Sequence, residues 1–360
     1  MKTKILVGIL VIAIVIFGVL FGMKLMSNGD AKETDGNVAD TNSTMTVVLD
    51  DEEEETVQSK YAGNERTLAI VIDNVGDAVP QTGLNEAMLV YEAYVEGGLT
   101  RMLAIYKNAN IDTIGPTRSA RPVFIDYALE NDSIFIHYGG SERALNDVED
   151  LNMDNANGIL SPANVFWRTS EKKAPHNALT NTERIWEYAD KQGYRKTTTE
   201  RNVLNYVTEA VTLDEGTAAN TVDIPYSGAK LKYEYNPETG LYERYEKGTL
   251  SKDWLTGETI TTKNIIITIA ENYTTSEENG YGRQEIENIG NLDGYYITNG
   301  KAIRIKCIKN ARDEKTIYQD LEGNEIEVND GNTFVHICPK NADVVLEAPE
   351  SVQELPMEGE

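Results

Sequence analysis

The sequence predicts an α/β N-terminal domain followed by a mostly β C-terminal domain, preceded by one transmembrane helix. Three observations support this fold class. An unbroken apolar run fills residues 5–23, short apolar strands alternate with helical patterns up to about residue 200, and β-rich segments with turn signals follow. We therefore divide the chain into 1–26 (cytoplasmic start and anchor), 27–60 (acidic disordered stalk), 61–200 (α/β domain), 201–346 (mostly β domain) and 347–360 (acidic tail).

The apolar run ILVGILVIAIVIFGVLFGM is long enough for a membrane-spanning helix, which needs about 20 residues. A cleaved signal peptide is the alternative, but its apolar core is usually about 7–15 residues long, and no A-x-A-like site follows here. Lys2 and Lys4 precede the run, so the positive-inside rule places the N-terminus in the cytoplasm. We expect a single-pass, signal-anchored protein of the cell membrane whose folded domains lie outside the cytoplasm.

The charge of the chain limits its partners. The formal net charge of −26 argues against nucleic acid, whose phosphates require a basic face. The stalk is acidic and poor in large apolar side chains, which is typical of a solvated spacer, with a cation-binding tract as the alternative. The partners that remain are the membrane, through the N-terminal helix, and a cell-wall polymer or an envelope protein.

The α/β elements are predicted in chain order from short apolar runs and helix signals. Thr67–Ile72, Met88–Val95, Arg101–Tyr106 and Ser133–Tyr138 are predicted strands, and VFIDYALE and ERALNDVE are predicted helices. Ser119 is a plausible cap of the first helix, with Pro122 in its first turn. Thr180 and Glu183 form a predicted capping box for a third helix that ends at Gly193.

The second half shows strand patterns. The loop 236–240 between two tyrosine-rich runs predicts a hairpin, and NIIITI, AIRIKCI, TIYQDLEGNEIEV and TFVHIC are further predicted strands. Exposed tyrosines of this domain would stack sugar rings, but tyrosine is also simply a good strand former. Cys307 and Cys338 lie in two of these strands, and either a disulfide or two buried free thiols fits the sequence.

Polar side chains gather at the predicted carboxyl ends of the strands, where ligands bind in open α/β sheets. The ligand-binding candidates at these ends or in nearby loops are Asp73, Asn74, Glu96, Arg101, Arg118, Arg121, His137, Arg168, His176 and Asn177.

Arg118 and Arg121 flank a predicted helix start, where free N–H groups and the helix dipole favour anions. Arginine grips a phosphate or carboxylate through two parallel hydrogen bonds, which predicts an anion-binding pocket. The alternative is that both arginines pair internally with Asp126, Glu92 or Glu96.

The sequence identifies no catalytic residue. His137 or His176 beside a carboxylate would suit acid–base chemistry, but structural hydrogen bonding explains a histidine equally well. The string Ser170–Lys173 matches S-x-x-K, although its partner motifs are absent. We expect no cofactor and no metal site, because the sequence contains no Walker loop, no H-E-x-x-H and no C-x-x-C motif.

Long segments resemble the YerB-like bacterial envelope family, which carries the domain of unknown function 3048. IVIDN, QTGLNEAMLVYEAYVEGGLTRMLAIY, IGPTRSARPVFIDYA, IHYGGS and FWRTSEKKAPHN are similar to its N-terminal domain; YEYNPETGLYERY, NIIIT and DLEGNEIEVNDGNTFVHICP are similar to its C-terminal domain. The resemblance covers about Arg66–Asn341 and implies a two-domain protein on the outer face of the cytoplasmic membrane. Members are often lipoproteins, whereas this sequence has no cysteine for lipid attachment. The resemblance implies no established activity, so no catalytic residue is carried over.

Three hypotheses for the function follow. The first is a module that binds an anionic or glycan ligand of the cell envelope through Arg118 and Arg121. The second is a hydrolase of cell-wall polymer, in which Asp73 or Glu96 works with a histidine and the arginines stabilise negative charge. The third is a scaffold for an envelope protein complex, which predicts a large exposed apolar patch.

Overall fold

The computed structural model describes residues 59–160, 164–275, 282–341 and 343–348. The predicted transmembrane helix (5–23), almost all of the stalk and most of the acidic tail lie outside these ranges. Within them, no helix is both long and apolar enough to cross a membrane.

The described residues are mostly β with few helices. The helices are α1 (Pro122–Glu130), α2 (Glu142–Asp150) and α3 (Thr182–Gln192), with a 3-10 turn at Gly76–Ala78. The strands are β1 (Leu68–Asp73), β2 (Leu89–Tyr94), β3 (Thr100–Tyr106), β4 (Ile134–His137), β5 (Asn155–Asn157), β6 (Trp167–Arg168), β7 (Ala178–Leu179), β8 (Asn205–Val207), β9 (Thr217–Ala218), β10 (Thr221–Ile224), β11 (Leu231–Asn236), β12 (Leu241–Glu246), β13 (Thr249–Leu250), β14 (Thr261–Thr262), β15 (Asn264–Thr274), β16 (Gln284–Glu287), β17 (Gly290–Thr298), β18 (Lys301–Lys309), β19 (Ile317–Gln319), β20 (Glu327–Asn329), β21 (Thr333–Pro339) and β22 (Val345–Glu347).

One large mixed sheet joins the two halves of the chain. Its main order is β19-β18-β17-β15-β21-β2-β3-β1-β4-β5. Strand β21 runs parallel to both β15 and β2, with Leu89 opposite Thr333 and Glu92 opposite His336. The predicted α/β and β segments therefore contribute strands to the same sheet. The domain boundary near residue 200 stays a prediction.

Both faces of the large sheet are covered, which explains why β1 and β2 are apolar along almost their whole length. A smaller sheet, β13-β12-β11-β10-β22, packs on one face, where the Tyr233 ring lies 6.0 Å from that of Phe334. Helix α1 packs on the other face, where Tyr127 stacks on Tyr91 at 4.3 Å. Each fully buried aliphatic side chain in this core contributes about 1.5–3 kcal/mol.

The helix starts differ in detail from those predicted. Helix α1 begins at Pro122 as expected, but Arg121 holds the capping position without a side-chain hydrogen bond, so the Ser119 cap is wrong. Asn181 caps α3 by accepting a hydrogen bond from the Arg184 N–H, so the capping box at Thr180 is wrong by one residue. The predicted end of α3 is confirmed, since Gly193 adopts a left-handed φ of 72°.

The two cysteines are free and buried. Strands β15 and β17 separate β18, which carries Cys307, from β21, which carries Cys338, so the sulfur atoms cannot approach each other. Burial raises the pKa of both thiols, that of Cys307 to about 12, which makes them unreactive. Of the two alternatives, the structure supports buried free thiols rather than a disulfide.

The tyrosine-rich strands of the second half contribute mainly to the core. Tyr226, Tyr233, Tyr242 and Tyr296 are buried, and the hydroxyls of the first and third donate hydrogen bonds to backbone carbonyls. These four rings are therefore not available to stack on a sugar at the surface.

Candidate functional site

Asp73, at the end of β1, holds two of the predicted site residues. Its carboxylate is fully buried, with Oδ2 lying 2.7 Å from Nδ1 of His176 and 3.1 Å from Nε of Arg118. The His176 and Arg118 side chains are only partly buried, at 20% and 26% exposure. A buried carboxylate thus fixes two cationic or ionisable groups that reach solvent.

The backbone brings these three residues together from distant parts of the sequence. Pro116 accepts a hydrogen bond from the Asp73 N–H at 2.9 Å, and the Arg118 N–H donates to Val71 at 2.9 Å, so residues 116–118 run alongside β1. Thr117 then donates its N–H to Ala178 at 2.6 Å, which places the loop carrying His176 over the same strand end.

The second carboxylate oxygen of Asp73 departs from the rule that buried polar atoms form hydrogen bonds. Among the described residues, Oδ1 has no hydrogen-bond partner, although it is buried. An unsatisfied buried acceptor costs about 1–3 kcal/mol, and each such group in a native structure requires an explanation. The Arg118 Nε shares this property, since it lies 3.1 Å from Oδ2 as an ion pair without the geometry of a hydrogen bond.

Glu96 is the second carboxylate of a cluster that comprises Asp73, Glu96, Arg101, Arg118, Arg121 and His176. Arg121 donates to its two oxygens, through Nε at 2.9 Å and Nη2 at 2.5 Å, and Arg101 lies 3.4 Å from Oε1. Burial alone would raise the pKa of Glu96, but hydrogen bonds from Arg121 and the charges of the arginines outweigh it and lower that pKa. The internal pairing that we considered for Arg121 is therefore present, with Glu96 as the partner.

Arg101 lies between the two carboxylates, Asp73 and Glu96. It lies directly opposite Asp73 in the β1–β3 pair and is almost completely buried. Its Nη1 donates to the Ser119 carbonyl at 2.8 Å. Burial first, and the Arg121 charge second, lower the pKa of Arg101 to about 9, against the opposing charges of Glu96 and Asp73. Three guanidinium groups thus face two carboxylates, in a chain with a net charge of −26.

Asn74, the residue after β1, points away from this cluster, as expected for consecutive residues of an extended chain. Its amide nitrogen donates to Glu92 at 3.1 Å and to Thr100 at 2.8 Å, and its amide oxygen accepts from Gln81 at 2.7 Å. Asn74 therefore belongs to a buried polar network on the opposite face of the sheet. The Glu92 carboxylate of this network pairs with Arg244 rather than with Arg118 or Arg121.

The other predicted residues lie apart from the carboxylates. His137 is fully buried, with Nδ1 2.8 Å from the Gly139 carbonyl, and burial lowers its pKa. This histidine is therefore a neutral structural group. Arg168 donates to Asn177 and lies over the Tyr138 ring at 4.7 Å, so these two candidates hold each other.

Sequence patterns did not reveal two groups near the site. Gln81 donates to the Asp73 carbonyl, and Lys172 lies over the ring of Trp254 from the second half of the chain. Both contacts join segments with no common motif, and only the tertiary fold shows them. Among the described residues, no three His, Cys, Asp or Glu side chains are grouped so as to hold a metal ion.

Comparisons with known proteins agree with the resemblance seen in the sequence. Residues 54–195 match the N-terminal domain of the protein family of unknown function DUF3048, and residues 222–335 match its C-terminal domain. The Bacillus subtilis (strain 168) protein named "Putative lipoprotein YerB" is 29% identical over 286 residues, covering 76% of this chain and 81% of that protein. The crystal structure of Bacillus subtilis YerB superposes with a TM-score of 0.69 at 28% identity, covering 78% of this chain and 94% of the other.

Proposed function

Because the chain belongs to the YerB-like DUF3048 family, we propose that it is a cell-envelope protein that binds an anionic ligand through Arg118 and His176. The lipoprotein name of the Bacillus relative supports a membrane-associated location. The apolar run at 5–23, preceded by Lys2 and Lys4, supports a single-pass anchor in place of a lipid.

One observation carries the binding proposal: Arg118 and His176 are both partly exposed and both held on the buried Asp73 carboxylate. Fixing the two side chains in advance lowers the entropic cost of binding. Arg118 pairs through Nε, so its terminal nitrogens remain the natural donors to a phosphate or carboxylate. By contrast, Arg121 and Arg101 are engaged with Glu96, so we assign them a supporting role.

The Arg118→Ala variant is expected to weaken binding of poly(glycerol phosphate) to the full-length chain by roughly tenfold or more. The reason is the loss of a charge-assisted hydrogen bond, worth about 1.5–3 kcal/mol. Isothermal titration at fixed salt measures the effect. The matched control is Arg304→Ala, since that arginine is 63% exposed on β18 in the other half of the chain. Equal affinity of wild type and Arg118→Ala would remove the proposed site.

A second candidate is the hydrolysis of cell-wall polymer, favoured by the Asp73–His176 pair. A carboxylate that holds Nδ1 at 2.7 Å orients the imidazole and leaves Nε2 on the far side of the ring, where it can take a proton from water. Arg118 would then stabilise the developing negative charge. Release of soluble fragments from purified wall polymer, lost in His176→Gln, would favour this candidate; release that persists in the variant would reject it.

The scaffold hypothesis remains a prediction without a specific contact to support it. Large hydrophobic side chains that are strongly exposed include Ile159, Leu160 and Leu321. A partner protein would have to be identified before any of these positions could be assigned to an interface.

A further inference from the structure

A loop from the second half of the chain, which carries Trp254, contacts a residue that binds Asp73 of the proposed anion site. Gln81 is that residue. Its side-chain Nε2 donates to the backbone carbonyl of Asp73 at 3.0 Å, and its backbone carbonyl accepts the backbone N–H of Trp254 at 2.7 Å. Only one residue therefore separates the backbone of Trp254 from the residue that holds Arg118 and His176.

The loop that carries Trp254 is fixed by the buried Asp253 carboxylate. Its Oδ2 accepts the Gly83 N–H at 2.8 Å, and its Oδ1 accepts the Thr82 hydroxyl at 3.0 Å. The same Oδ1 also accepts the Leu255 N–H at 2.8 Å, which shapes the turn itself. Such a loop presents its side chains in a defined direction, as a binding surface requires.

The loop that carries His176 also reaches this tryptophan. Lys172 Nζ lies 4.7 Å from the Trp254 ring centre and donates to the Ala78 carbonyl at 3.1 Å. Trp254 is partly exposed, and Leu255, which follows it, and Val79, which follows Ala78, are exposed. This lysine and this indole therefore bring the loop that carries His176 into contact with the loop that carries Trp254.

We propose that Trp254 stacks on a pyranose ring of the same ligand whose anionic group binds Arg118 and His176, so that the ligand is an acidic saccharide. This inference rests on the proposed function and names its ligand class. Sugar rings present apolar C–H faces to aromatic rings, and the hydroxyls around them suit the lysine.

The loop that carries Trp254 and the segment that leads to Arg118 are joined by a second set of contacts. Thr82, whose hydroxyl donates to Asp253, pairs with Gly115 through two backbone hydrogen bonds, at 2.8 and 3.1 Å, and Arg118 follows Gly115 by three residues. We therefore expect a phosphorylated disaccharide to reach both Trp254 and Arg118, whereas glycerol phosphate would reach only the anion site.

Two probes with the same anionic group distinguish binding to Arg118 and His176 from stacking on Trp254. Maltose 1-phosphate and glycerol 3-phosphate are both phosphate monoesters, but only the first carries pyranose rings. The full-length wild-type chain is expected to bind maltose 1-phosphate roughly two- to tenfold more tightly, which corresponds to about 0.5–1.4 kcal/mol. In Trp254→Leu this preference is expected to disappear while the affinity for glycerol 3-phosphate is unchanged.

Two further variants control for folding and for aromatic loss elsewhere. Trp254→Phe retains a ring and is expected to keep the preference. Trp186→Leu removes the other tryptophan that has a lysine over its ring, Lys196 at 5.7 Å, and should bind like wild type. A preference that survives in Trp254→Leu, or equal wild-type affinity for the two probes, overturns the inference. Failure of both probes to bind wild type overturns the proposed function itself.

Discussion

The Arg244→Ala variant is expected to lose about 3–5 kcal/mol of unfolding free energy, because it leaves a buried charge without its partner. Arg244 and Glu92 are both buried, with Nη2 3.3 Å from Oε2. Burial raises the pKa of Glu92, and the Arg244 charge is the main opposing effect. Urea denaturation of wild type and variant, followed by circular dichroism, measures the difference.

The double variant Glu92→Gln/Arg244→Met separates the lost charge partner from the lost packing. It removes both charges of the pair and is expected to recover a large part of the stability, since neither charge is left unpaired. Glutamine also keeps an amide oxygen for the hydrogen bonds from Asn74 and Thr100. A loss below about 1 kcal/mol in Arg244→Ala, the range of exposed ion pairs, would contradict this description of the network.

The Glu130→Ala variant is expected to cost a similar amount, about 3–5 kcal/mol, because Glu130 connects the end of α1 to the second half of the chain. Its Oε2 accepts from Lys309 Nζ at 2.8 Å and from the Thr316 N–H at 3.0 Å, and its Oε1 accepts from the Tyr91 hydroxyl at 2.8 Å. The variant leaves the ammonium group of Lys309, whose side chain is only 1% exposed, without its charge partner. The same denaturation experiment provides the measurement.

The matched control for Glu130 is an exposed pair on the neighbouring strands β17 and β18. Lys306 Nζ lies 2.6 Å from Asp293 Oδ1, and both side chains are well exposed. Asp293→Ala should therefore cost no more than about 1 kcal/mol. Similar losses in Asp293→Ala and Glu130→Ala would show that burial does not set the strength of these pairs.

Local elements were predictable because their signals lie within a few residues. The apolar runs at β1, β2 and β4, the first-turn position of Pro122 and the left-handed Gly193 follow from side-chain and backbone preferences alone. The pairing of β2 with β21 was not predictable, because it joins Leu89 to Thr333 and no local pattern encodes the partner of a buried strand. Because the sequence did not show this pairing, it suggested two successive domains.

The candidate site was predictable in part. The sequence offered Asp73 as a candidate at a strand end, Arg118 beside a predicted helix start and His176 in a nearby loop, and the structure brings these three together. The sequence could not show which carboxylate each arginine pairs with: Arg118 takes Asp73, while Arg121 takes Glu96. That choice depends on side-chain directions across strands that are far apart in the sequence.

The most direct test of the anion site is the protection of His176 from chemical modification. The chain contains three histidines, and His137 and His336 are fully buried, so diethyl pyrocarbonate should modify His176 first. Mass spectrometry of the full-length chain gives its modification rate with and without saturating poly(glycerol phosphate). We predict that the polymer slows modification of His176 in wild type, and that Arg118→Ala requires roughly tenfold more polymer, or more, for the same protection. An unchanged rate in wild type, under conditions where titration shows the polymer bound, would place the ligand elsewhere and contradict the proposed site.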